Sequence, residues 1–92
     1  MNELLRQLKI CRSLAHTQRS STWMQKHWDI SRATLNRDLS ELRHLGAQIV
    51  AQRDQEGFLY KLENWPDICR TVETWIALEE KRDLLELGRT IL

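Results

Sequence analysis

ISRATLNRDLSELRHLG, residues 30–46, carries a start signal, a stop signal and a single periodicity between them. Ser31 is placed to cap a helix. At 100° per residue, Leu35, Leu39 and Leu42 fall in one narrow stripe flanked by Ser31 and Asp38. Gly46, after His44 and Leu45, supplies the left-handed residue that ends a helix. The opposite side collects Arg32, Ala33, Asn36, Arg37, Ser40 and His44. Its two acids stand aside, Asp38 beside the leucines and Glu41 toward an edge, so the middle of the outer face has no carboxylate.

Upstream, Ser20 or Ser21 offers an N-cap for a short helix through about His27, with Met24 and Trp28 turned inward. Only Trp28, Asp29 and Ile30 then separate the two helices. So short a link forces a sharp change of direction, and Asp tolerates a left-handed backbone there. Further upstream, residues 2–16 place Leu4, Leu5, Leu8, Cys11 and Ala15 on one helical face. Downstream the period drops from about 3.6 to 2. Residues 48–52 and 58–62 read as strands, joined by a turn over residues 53–57.

From Asn64, a predicted cap, and Pro66 another helical pattern begins. Ile68, Cys69, Val72, Trp75 and Ile76 form one stripe. Glu79 and Asp83 then interrupt it, and Leu84, Leu87 and Ile91 define a second, rotated stripe. This is either two helices or one whose apolar side wraps around. The expected class is mainly α with a small β-hairpin: a helix-turn-helix unit with a hairpin wing over residues 1–63, and a helical extension for dimerisation or linkage over 64–92.

Charge is unevenly distributed. The chain of 92 residues has a net charge of +1, yet residues 1–45 hold 8 Lys/Arg against 4 Asp/Glu. That excess suits a polyanion. No apolar run is long enough to span a bilayer and no signal peptide opens the chain, so a cytoplasmic location is expected. Cys11 and Cys69 read as plain thiols. The histidines and cysteines lack zinc-finger spacing, and no phosphate loop or nucleophile elbow occurs. Neither a metal, a cofactor nor catalysis is expected.

Two helices joined by a tight turn, the second with a polar basic face, form a helix-turn-helix whose second helix can enter the major groove. Arg pairs with guanine, Asn with adenine, Ser with base edges or phosphate, and Ala with a thymine methyl. Arg32, Ala33, Asn36, Arg37 and Ser40 are therefore the expected base-reading residues. Arg19, Ser21, Lys26, Ser31, Thr34 and Arg53 are expected at phosphates. Asp38 is expected to accept from an Arg of the first helix rather than to serve in catalysis. Trp28 and Trp75 read as core, and Trp23 and Trp65 as either packing or base-stacking residues.

SRATLNRDLSELRHLG, with a short helix before it and GFLYKL after it, resembles the winged helix-turn-helix of DeoR-type and WYL-domain-containing bacterial transcription regulators. Ser31, Arg32, Thr34, Leu35, Arg37, Asp38, Leu39, Leu42 and Gly46 carry the likeness. Gly57, Phe58, Tyr60 and Leu62 fit the hairpin. The likeness covers about residues 1–63 and implies a repressor, or its N-terminal half, that works as a dimer on a palindromic operator in the nucleoid. Trp75, Leu84, Leu87 and Ile91 are the expected dimer contacts. The sequence departs from the family pattern at Asp29, where Gly is favoured, and at an acidic wing tip, Asp54-Gln55-Glu56. That tip and the near-neutral charge favour the competing class, a protein-interaction adaptor on the same scaffold.

Overall fold

The computed structural model describes residues 2–55 and 57–91, without the side chains of Asp54 and residues 87–91. The chain runs α1 (Glu3–His16), β1 (Arg19–Ser20), α2 (Ser21–Trp28), α3 (Arg32–His44), β2 (Ile49–Asp54), β3 (Gly57–Leu62) and α4 (Trp65–Ile91). The strands form one antiparallel sheet in the order β1-β3-β2. This is a mainly α architecture with a small sheet, a winged helix-turn-helix followed by a C-terminal helix. Among the described residues no helix is long and apolar enough to cross a membrane.

Local chemistry sets each boundary. Asn2 caps α1 by accepting from the Leu5 N–H at 2.6 Å, Ser20 caps α2 through the Trp23 N–H, and Ser31 caps α3 through the Thr34 N–H. Each such cap contributes about 1 kcal/mol. Asp29 takes the left-handed backbone between α2 and α3, with φ 53° and ψ 55°. Gly46 (φ 108°) closes α3 in a Schellman arrangement: the Ala47 N–H reaches the Leu42 carbonyl and the Gly46 N–H reaches that of Arg43. The same turn buries Ala47 beside Leu42.

The core gathers Leu5, Leu8, Ile10, Cys11 and Leu14 of α1, Met24 of α2 and Leu35, Leu39 and Leu42 of α3. Ile49 and Leu62 join it from the sheet, and Val72 and Ile76 from α4. Burying each large aliphatic side chain contributes roughly 1.5–3 kcal/mol. α1 packs against both α3 and α4, so it is buried over a wider arc than one stripe allows. Ile10 and Leu14 are inside, while Leu4 remains partly exposed.

One open alternative is decided, and three further expectations are corrected. α4 is one continuous helix of 27 residues. Glu79 and Asp83 interrupt its stripe because both accept from the Asn2 amide, at 2.9 and 3.0 Å. The Asn64 side chain is engaged away from α4: Oδ1 accepts from the Gln48 N–H and Nδ2 donates to the Gly46 carbonyl, both at 2.8 Å. It ties the start of α4 to the link between α3 and β2. The hairpin ladder continues to Asp54 opposite Gly57, so the turn is shorter than residues 53–57. Finally, Trp75 is 37% exposed rather than core.

Candidate nucleic-acid interface

With Leu35, Asp38, Leu39 and Leu42 of α3 buried, its other side must face outward. Arg32, Ala33, Asn36, Arg37, Ser40 and His44 are all exposed. The His44 Nδ1–H donates to the Ser40 carbonyl at 2.8 Å, which holds that ring along the last turn. Asn36 and Arg32 make no hydrogen bond or ion pair with other described residues, so their donors are available. Arg37 is differently placed. Its Nη2 lies 3.1 Å from Glu3 Oε1, in a pair more than half exposed on both sides. A polyanion at this face would compete with Glu3 for that guanidinium.

Buried polar bonds hold α3 in position. Asp38, fully buried, accepts from Arg6 Nε at 2.8 Å, Arg6 Nη2 at 2.9 Å and Gln7 Nε2 at 3.0 Å. The hydrogen bond to Asp38 raises the Arg6 pKa above its usual value, against the opposing pull of burial. A charge so held orients α3 about its own axis, because rotation would strand a carboxylate in the core.

The residues expected at phosphates divide into three groups. Lys26 is exposed on α2 and Arg53 is exposed on β2, opposite Phe58. Ser31 and Thr34 are bonded to each other, Oγ to Oγ1 at 3.0 Å, at the mouth of α3. Arg19 and Ser21 sit lower. The Arg19 guanidinium carbon lies over the Trp23 ring, 3.9 Å from its centroid, and the His27 ring stacks on Trp23 with centroids 4.4 Å apart. Trp23 is thus half-buried, packed on the core and already engaged by two side chains, which argues against its use as a base-stacking platform. Trp65 packs against the core, with the His16 ring beside it. Arg19 Nε and Trp28 Nε1 are buried N–H groups without an acceptor among the described residues.

A polar hollow of about 170 Å³ joins these parts, lined by Ser20, Ser21, Thr22 and Gln25 of the α2 end, Arg32 of α3, and Gly57, Phe58 and Tyr60 of the wing. Gln25 Nε2 donates to Ser21 Oγ there at 2.8 Å. Thr22, Gln25, Phe58 and Tyr60 were not among the expected site residues, although Phe58 and Tyr60 were read as part of the hairpin. The alternation in GFLYKL puts Phe58 and Tyr60 on one face, but only the β1–β3 pairing, Arg19 opposite Tyr60, brings that face to α2.

Of the expected dimer contacts, Trp75 and Leu84 are exposed, on different sides of α4. Leu87 and Ile91 lie outside the described side chains. Compared with family models, curated proteins and solved structures, the chain finds no match.

Proposed function

We propose that this chain is a sequence-specific double-stranded DNA-binding module, a transcriptional repressor or its DNA-binding part, of the kind found in DeoR-type and WYL-domain regulators. One observation carries the reading. The second helix of a helix-turn-helix presents Arg32, Ala33, Asn36, Arg37 and Ser40 to solvent with no carboxylate among them. In this reading α3 lies in the major groove. Lys26, Arg19, Arg53 and the hydroxyls of Ser21, Ser31 and Thr34 flank it at the phosphates. Such a module works where DNA is, in the cytoplasm of a bacterial cell, and uses neither metal nor cofactor.

Selection of bound duplexes from a random DNA pool tests this, since enrichment of one motif is expected. Affinity should fall steeply with salt, and Lys26→Ala should weaken all sequences evenly and flatten the salt slope by about one unit. An adaptor surface is the second reading, favoured by Glu3 already occupying Arg37 and by the acidic wing tip. Absence of any DNA binding at low salt would select it.

A further inference from the structure

Four charged side chains form a row across the contact between α1 and α3, with Asp38 at the buried end, then Arg6, Glu3 and, at the exposed end, Arg37. Arg6 Nη2 lies 2.9 Å from Asp38 Oδ1 and 4.0 Å from Glu3 Oε1. That same Glu3 oxygen is 3.1 Å from Arg37 Nη2. The signs alternate along the row. Side-chain exposure rises from 0% at Asp38 through 18% at Arg6 to 56% and 60% at Glu3 and Arg37.

The turn that carries Glu3 is fixed from two sides. Arg6 and Gln7 tie it to Asp38 of α3. Asn2 caps it at the Leu5 N–H, and the Asn2 amide donates to Glu79 and Asp83 of α4. A carboxylate therefore stands at a set place beside the outer face of α3. An exposed ion pair adds little to stability, so stability does not account for its placement.

Among the described residues Arg37 has no partner besides Glu3. A guanidinium held at Nη2 keeps its Nε and Nη1 donors free, in one plane. Guanine presents two acceptors, O6 and N7, in a set geometry that a planar donor pair matches. A free arginine can swing to any nearby phosphate, and a held one cannot. The carboxylate also repels phosphates whatever sequence lies between them.

We propose that Glu3 is a positioning residue that sets specificity: by holding Arg37 at Nη2 it directs that guanidinium to a guanine edge and away from the phosphates. Glu3 then weakens every complex, and most of all those in which Arg37 finds no guanine. Discrimination of this kind comes from a built-in repulsion rather than from added contacts. The proposal rests on the DNA-binding reading. It goes beyond it by naming the base and a residue of α1, outside the helix-turn-helix, that selects it.

Two measurements test this. In the full chain without DNA, nitrogen-15 spectra of the Arg37 side chain, identified by its loss in Arg37→Lys, should show hindered guanidinium rotation that Glu3→Gln removes. Fluorescence anisotropy then compares the duplex enriched from a random pool with a scrambled duplex of equal length. Glu3→Gln should tighten the scrambled duplex by about tenfold and the enriched one by about threefold, so preference falls by about threefold. The loss should fall at a G·C pair, the same pair at which Arg37→Ala relaxes preference. In an Arg37→Ala background, Glu3→Gln should leave preference unchanged. Equal tightening of both duplexes, which a charge effect alone would give, would overturn the proposal, as would free rotation of Arg37 in the unaltered chain. Failure of the unaltered chain to bind any duplex would instead remove the DNA-binding reading, and this proposal with it.

Discussion

Arg6 and Asp38 are joined by two hydrogen bonds across the contact between α1 and α3, Nε to Oδ2 at 2.8 Å and Nη2 to Oδ1 at 2.9 Å. Gln7 adds a third to Oδ1. Removing either charged partner strands the other. Asp38→Ala should cost about 3–5 kcal/mol in urea denaturation. The apolar double variant Arg6→Met/Asp38→Leu should recover most of that loss, since the pair's desolvation cost goes with it. If the double variant is as unstable as the sum of its singles, the pair is not acting as a unit.

On the outer face, Asn36→Ala should cost about 1–3 kcal/mol on the preferred DNA site and relax preference at one base pair. Fluorescence anisotropy with a set of singly altered duplexes measures this. Equal loss on every duplex would assign Asn36 to phosphate contact, and no loss would remove it from the interface.

Glu3 and Arg37 give a prediction of opposite sign. Their pair is exposed and contributes at most about 1 kcal/mol to stability. Glu3→Gln should therefore leave the denaturation midpoint nearly unchanged. It should tighten DNA binding by about threefold to tenfold, because Arg37 is released and a nearby negative charge is gone. Unchanged affinity would place Arg37 outside the bound surface.

Asn64 satisfies two backbone groups, the Gln48 N–H and the Gly46 carbonyl. Asn64→Ala should cost about 2 kcal/mol by leaving them without partners. Asn64→Asp keeps an acceptor for the Gln48 N–H but sets a carboxylate against the Gly46 carbonyl, so it should restore little. Thermal unfolding of the two variants side by side makes the comparison.

Cys11 is fully buried, and burial pushes its thiol from 9.0 up to about 11. Between those values the unfolded chain has lost this proton while the folded chain keeps it. Stability should therefore be undiminished by this group below pH 9 and fall as pH rises toward 11, by at most about 1.4 kcal/mol per unit. Cys11→Ala should remove this component of the slope. A disulfide reagent at pH 8 should modify Cys69 alone in the native protein and both thiols in denaturant.

The elements legible in the sequence were those whose causes are local. Ser31, Asp29 and Gly46 act through the backbone of their own turn, so α2, the left-handed turn and α3 could be read without a partner surface. The Asp38 pairing was legible too, because an acid beside a leucine stripe needs a cation within reach. The rest depended on tertiary contact. β1 is two residues long, has no period of its own, and exists because β3 pairs with it. Asn64 looked like a cap by position, but the two unsatisfied groups that capture it lie 16 and 18 residues away. The Glu3–Arg37 pair, the engagement of Trp23 and the exposure of Trp75 likewise follow from how α1, β1 and α4 pack around α3. Periodicity determines which side of a helix is apolar; only the packed body decides how far around that helix water is excluded.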